Sequence, residues 1–307
     1  FGSSLCMEQH LPQCPQCPGY GSRPSWYLQA GCDRCRACAG LQERSWEVPT
    51  VQAMLPRFLQ RVYENTPVAD SARRKQSQEK CAQIQAKMRK GYQLPSDFSD
   101  EEALWGYVSA KFATRARMAG DVLEDVLTGP ARCVVALGGG PAAELLSFVV
   151  LSDVRSWPRP RLIVGEFVDY WKPIAHKVGE LAGAPFEYMH CDVTRGLSEE
   201  ANSALAGIAA ALDVVILSFV LLETGCPTVL IRDLWEASRG KLVVIALDAG
   251  QPQPRQGNPR ELAGSLRTLS VFCKEIGATC TRADDRKGRA VAVVLAGSSD
   301  CWRTHDL

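Results

Sequence analysis

The chain has 307 residues, 46% of them hydrophobic and 22% charged, with a formal net charge of +1 at pH 7. That length exceeds the ~100–200 residues of a typical domain, so one large domain with an appendage is the natural organisation. The near-neutral balance excludes a global electrostatic case for nucleic acid or membrane, and no apolar run reaches the ~18 residues that a membrane span requires.

In chain order, the first segment is set by its cysteines. Of thirteen, Cys6, Cys14, Cys17, Cys32, Cys35 and Cys38 crowd the start and the rest are scattered. The odd total, with single cysteines such as Cys133 and Cys191 inside apolar runs, argues against a disulfide framework. It points to an intracellular, reducing compartment in which the front cluster binds metal. Residues 1–45 are rich in Cys, Pro and Gly and show little periodicity. Such a segment needs a staple to order itself. Cys14-Pro-Gln-Cys17, fourteen residues, then Cys32-Asp-Arg-Cys35 supplies one, because two C-x2-C hairpins complete a tetrahedral S4 zinc site. Cys38 is an alternative ligand, and Cys6 with His10 either forms a second site or stands by. A full S4 set leaves no open coordination position, so the zinc is read as structural. The chain opens at Phe1 rather than Met, which leaves a targeting segment ahead of it open.

Residues 46–98 read as a helical, basic connecting region. Residues 48–64 have apolar residues at helical spacing, with Pro56 placed to kink or delay the helix. Residues 71–90 predict a polar helix bearing Arg73, Arg74, Lys75, Lys80, Lys87, Arg89 and Lys90 against Glu79 alone. Ser99 to Glu102 carries a capping-box pattern opening a helix to about Leu127. Its buried face is Leu104, Tyr107, Val108, Phe112, Met118, Val122 and Leu123, while Lys111, Arg115 and Arg117 add positive charge. The basic helix beside a zinc module is either a solvated face or a track for a phosphate backbone, hence RNA or an RNA-containing assembly.

From residue 99 to 307 the chain predicts an α/β domain. Apolar runs at 133–137, 161–167, 186–190, 213–219, 241–247, 278–283 and 290–296 alternate with helix candidates at 142–153, 171–182, 199–210, 227–238 and 260–276. Continuous apolar strands separated by helices form a parallel sheet covered on both faces. Only residues 284–289 separate the last two strands, and Gly288 suits their turn, so these two form an antiparallel hairpin.

The first strand runs into Gly138, Gly139 and Gly140 and then a helix. Glycines there permit a tight turn and close approach of a ligand to the backbone, and the helix start offers unpaired N–H groups. Such a turn also suits NAD, FAD or plain packing. Glu166 ends the second strand, where a carboxylate can accept both ribose hydroxyls. Asp192, followed by Val193, comes after the third, in reach of an adenine amino group, and Ser218 and Phe219 end the fourth. All occupy one rim, where open α/β sheets bind ligands.

The segments LGGGPAAELL, LIVGEF, MHCDV and DVVILSFVLLE resemble successive motifs of the class I S-adenosylmethionine-dependent methyltransferases, over about residues 100–297. The resemblance implies a seven-stranded Rossmann-like sheet, parallel with an antiparallel C-terminal hairpin, preceded by helices and the zinc segment. It implies that Gly138, Gly139 and Gly140 line the methionine moiety, that Glu166 holds the ribose with Asp169 a weaker substitute, and that Asp192 and Val193 frame the adenine. Ser218 and Phe219 would flank the transferable methyl group.

Two positions depart from the pattern. Ala136 stands where an acidic residue is usual, and Ala142 where a glycine is usual. Glu144, on the first helical turn, is placed to compensate the missing charge. Positioning dominates methyl transfer from a sulfonium, so catalytic residues are hard to read. Glu223 is the one base candidate, and Cys226 and His176 read as structural. The expected function is methyl transfer to a macromolecule, RNA ahead of protein. The alternatives are a catalytically silent methyltransferase-like subunit of an RNA-containing assembly, and an NAD-type enzyme. Metal analysis of purified, unchelated protein should find about one zinc per chain, and less than about half an equivalent would contradict the S4 site.

Overall fold

The computed structural model describes residues 49–89, 99–221, 227–249, 264–284 and 290–297, all in the larger of the two units into which the chain divides, Pro49–Leu307. The cysteines Cys14, Cys17, Cys32, Cys35, Cys6 and Cys38, with His10, lie outside the described residues, as do Glu223, Cys226 and Gly288.

Helix α1 (Val51–Glu64) begins at Thr50, whose hydroxyl accepts the Ala53 N–H at 3.2 Å. It buries Val51, Leu55, Leu59 and Val62, a single face at helical spacing, and continues through Pro56 without breaking. Helix α2 (Ser71–Arg89) follows, and its narrow buried stripe of Ser77, Cys81 and Ile84 meets α3 (Glu101–Tyr107). The cap of α3 is Asp100, one residue beyond Ser99. Its Oδ1 accepts the Glu102 and Ala103 N–H groups at 3.0 and 3.2 Å.

The helix predicted to run unbroken to about Leu127 contains a π turn, Val108–Phe112, before α4 (Ala113–Val126). The extra residue of a π turn rotates the helix beyond it, bringing Arg115 back over Tyr107 at 5.0 Å. Of the predicted buried face, Tyr107 alone is half-buried and the rest are buried.

The sheet has seven strands: β1 (Cys133–Leu137), β2 (Arg161–Glu166), β3 (Phe186–His190), β4 (Val214–Ser218), β5 (Val243–Ala249), β6 (Thr279–Asp284) and β7 (Ala290–Ala296). Their order is β3-β2-β1-β4-β5-β7-β6. The first five are parallel, and β7 runs antiparallel between β5 and β6. This is a seven-stranded α/β sheet, parallel with an antiparallel C-terminal hairpin, as expected from the apolar runs.

Alternation along each strand feeds two cores. Val134, Ala136, Val214 and Ile216 pack on one face with α1, α4, α5 (Ala143–Val154) and α6 (Lys172–Leu181). Cys133, Val135, Leu137, Val215 and Leu217 pack on the other with α8 (Thr228–Ala237) and α9 (Gly264–Glu275). The helix expected over 199–210 is broken. It consists of a 3-10 turn, the four-residue α7 (Ser203–Ala206) and another 3-10 turn. Asn202 sits at the first break, with its side-chain amide donating to the carbonyls of Asp192, Arg195 and Gly196, a local competitor to helical bonding.

No described helix is long and apolar enough to cross a membrane. The tightest helix crossing is at Gly106, where a Cβ would lie 1.8 Å from the Ser77 carbonyl oxygen of α2. Gly106→Ala should therefore push α2 off α3 and cost about 3 kcal/mol, roughly 6–12 °C in Tm. Thermal unfolding checks this, and an unchanged Tm would contradict the packing.

Candidate functional site at the strand tips

Five parallel strands end on one rim, and β1 delivers the glycine turn to its centre. Gly138 (φ 64°) and Gly140 (φ 46°) take left-handed conformations, which glycine adopts without steric cost. The Gly138 N–H donates to the Gly165 carbonyl at 2.7 Å, extending the ladder to β2. Gly140 then turns its N–H to Glu166 Oε2 at 3.0 Å, and the Phe167 N–H donates to Oε1 at 3.0 Å. The carboxylate at the tip of β2 is thus clasped against the turn after β1.

Ala142 stands at φ 65°, ψ 38°. The left-handed conformation explains why glycine suits this position and why alanine is strained in it.

Beyond β4 the chain makes a second unusual turn. Phe219 has φ 60°, rare for a bulky residue, while its N–H still donates to the Leu247 carbonyl at 2.8 Å. Val220 follows and packs on Gly138. The Phe219 ring lies 4.4 Å from the Arg115 guanidinium carbon, a cation–π contact. Tyr107 meets Trp171 edge-on at 5.3 Å, and the Trp171 ring faces Gly140. Tyr107, Arg115, Trp171 and Phe219 thereby wall the rim on the side of α3 and α4.

Beneath this wall is Glu144, 2% exposed, beside Ser218, 3% exposed. Burial pushes the Glu144 carboxyl above the usual carboxylate range, and the neighbouring Ser218 and Arg115 pull it back. Glu144 Oε2 and Ser218 Oγ have no hydrogen-bond partner beyond each other.

The β3 end is tied to the same rim by the Cys191 N–H, which donates to the Glu166 carbonyl at 3.0 Å. Asp192 uses Oδ1 to close its own turn, accepting from the Thr194 N–H at 2.9 Å and its hydroxyl at 2.6 Å, with Arg195 at 3.8 Å from Oδ2. Val193 follows Asp192 on the same loop. Its side chain is 7% exposed and buried with Cys191 and Leu205, because alternation past β3 turns it inward, so only its main chain is available to a ligand.

The structure therefore brings Gly138, Gly139, Gly140, Glu166, Ser218 and Phe219 together, with Asp192 on the adjoining tip. Four residues escaped the sequence reading as site residues. Arg115 was visible only as a helical charge, Tyr107 only as a core position, and Trp171 only as part of a helix. Phe167 is 51% exposed, with its ring 5.4 Å from that of His190. An aromatic residue directly after a strand-tip acid was its one available signal. His176 lies edge-on to Tyr188 at 6.4 Å. On α2 the basic track is partly engaged, since Arg74 donates to the Val68 and Ala69 carbonyls and Lys80 pairs with Asp100 and Glu102. Among the described residues no three His, Cys, Asp or Glu side chains are grouped to hold a metal ion.

No protein-family model and no curated protein sequence matches the chain. Among solved structures it is similar to one described as PigF with SAH, at 12% identity and TM-score 0.48, over 78% of this chain and 73% of that one. It is similar also to an O-methyltransferase family protein from Burkholderia thailandensis, at 17% identity and TM-score 0.47, over 68% and 64%. A third is a SAM dependent methyltransferase from Aquifex aeolicus, at 13% identity and TM-score 0.43, over 66% and 98%. The chain thus spans just under two thirds of the Burkholderia protein.

Because its carboxyl is raised in the folded protein, Glu144 contributes stability below its ordinary pKa of 4.5 that is lost as pH rises through the folded value. Without ligand, Tm of Glu144→Gln relative to the parent should therefore increase between pH 4 and pH 8. A gap that stays flat or moves the other way would contradict a buried carboxyl of raised pKa.

Proposed function

We propose that the rim binds S-adenosylmethionine and that the chain transfers its methyl group to an acceptor. The observation that carries this reading is the Gly140–Glu166 clasp at the mouth of β1, with a carboxylate where a ribose is held and left-handed glycines beside it. The residues fit the nucleoside. Glu166 is within reach of vicinal hydroxyls, the exposed Phe167 ring offers a flat face to adenine, and Asp192 stands on the next strand tip. Glu144 and Ser218, both buried, have no hydrogen-bond partner beyond each other.

When bound, the group supplies a methyl on a positively charged sulfur, reactive enough that little covalent chemistry is asked of the protein. The protein's part is orientation and exclusion of water. Glu166 would fix the nucleoside, and Ser218 and Phe219 would border the reacting end. Tyr107, Trp171 and Phe219 form the apolar wall that keeps water off it.

Exposed Arg73, Lys75, Lys111 and Arg117 support a phosphate-bearing macromolecule as acceptor, RNA ahead of protein. The front cysteines are proposed to hold a structural zinc ion. A second reading, a methyltransferase-like subunit without turnover, draws support from Ala136, which removes the usual acid from the end of β1.

Calorimetry with S-adenosylhomocysteine separates these readings. Micromolar binding is expected, with Glu166→Ala weakening it roughly tenfold to a hundredfold and Gly140→Arg abolishing it. Absence of binding would favour the silent subunit, and binding of NADH in its place would overturn the assignment.

A further inference from the structure

The end of α9 brings two thiols together. Cys273, in the last turns of α9, and Cys280, the second residue of β6, share a side-chain hydrogen bond, and both are free cysteines. The local sequence explains the meeting. Gly277 closes the helix in the left-handed conformation at φ 69°. Its N–H donates to the Lys274 carbonyl at 3.4 Å, and the Ala278 N–H donates to the Cys273 carbonyl at 2.9 Å, the two bonds of a Schellman end. The chain doubles back at once into β6. Alternation places Ala278 and Cys280 on the same side, packed against the core in which Cys273 is buried. Cys273 is 2% exposed and its thiol also donates to the Ser270 carbonyl at 3.0 Å, while Cys280 is half-buried. The strand so approached is the outermost of the sheet, with β7 as its one neighbour in the strand order.

We propose that Cys273 and Cys280 are a reversible oxidation site, closed by a small-molecule disulfide such as oxidised glutathione into a bond that fastens the outer strand β6 to the end of α9. The inference stands apart from the reading of the rim. Two thiols already within hydrogen-bonding reach need little movement to bond. Cys280, the more exposed of the two, reacts first. Its thiolate attacks one sulfur of the oxidant, releases the other as a thiolate and is left as a mixed disulfide. The Cys273 sulfur then attacks the Cys280 sulfur and releases the second thiolate. The two protons of the protein thiols end on the two released thiols, so one disulfide is reduced for the one that forms. Burial, and after it the neighbouring Cys273 thiol, push the Cys280 thiol up to about 12. A thiol held protonated attacks slowly, so the pair answers a sustained oxidising load rather than a brief one. In a reducing compartment a disulfide of this kind is transient and senses oxidation.

The test equilibrates the full chain with oxidised glutathione, blocks the remaining thiols by alkylation, and maps the bonds by mass spectrometry of an unreduced digest. A Cys273–Cys280 cross-link is expected, and dithiothreitol should return both residues to alkylatable thiols. Thermal unfolding supplies the second readout. The oxidised parent should melt about 2–6 °C above the reduced one, because a short cross-linked loop restricts the unfolded chain. Cys280→Ser, at a half-buried position, should lose that gain under the same treatment, which separates it from any bond formed elsewhere in the chain. The mapping needs no variant, so a Cys280→Ser protein that fails to fold leaves the cross-link itself as the deciding result. Both thiols still alkylatable after equilibration, a lasting glutathione adduct on Cys280 with Cys273 free, or either sulfur bonded to another cysteine would overturn the site. A cross-link that forms without raising Tm would overturn the fastening of β6.

Discussion

The hydrogen bond from the Gly140 amide to the Glu166 carboxylate, 3.0 Å long, organises the described rim. It requires β1 and β2 to end at the same height, which the parallel register Leu137 to Gly165 provides. It also requires a turn whose amide can point sideways, which the left-handed Gly138 and Gly140 provide. The second Glu166 oxygen holds the Phe167 amide, so one carboxylate ties the turn after β1 to the chain leaving β2. A charged acceptor for main-chain N–H groups at this place holds both loops in one geometry.

Around that clasp the molecule departs from what stability alone would choose. Ala142 and Phe219 occupy left-handed backbone conformations that side chains of their size rarely adopt. Glu144 and Ser218 are buried with unmet hydrogen-bonding capacity. These departures lie within a few residues of one another along the tips of β1 and β4, while the strands beneath them are uniformly apolar and paired. Local disagreement with folding rules, confined to one rim of an otherwise consistent sheet, is the pattern expected of a binding site.

Much of this was legible from the amino-acid order. The seven strands and the closing hairpin followed from apolar runs too short for helices and from a spacer too short for a crossover. Gly138–Gly140, Glu166, Ser218 and Phe219 were readable because each is pinned to a strand end. What was not legible depends on contacts distant in sequence or on local competition. Arg115 reaches Phe219 across about a hundred residues, through a π turn that leaves no pattern in VSAKF. The break near Asn202 arises because a side-chain amide bonds three loop carbonyls, which periodicity does not register. That the Val193 side chain packs inward with Cys191 and Leu205 follows from alternation past β3. The capping box suggested at Ser99 gave way to Asp100, whose single carboxylate oxygen serves two amides.

The central claim is that a nucleoside is bound at the strand tips of this sheet. Hydrogen exchange of the full chain with and without saturating S-adenosylhomocysteine tests it most directly, residue by residue. The account predicts added protection at Gly138–Ala142, Glu166–Phe167, Asp192–Thr194 and Ser218–Val220, with the opposite ends of the strands unchanged. Saturation without added protection at the Gly138–Ala142 turn, or protection confined to another face such as that between α8 and α9, would contradict it.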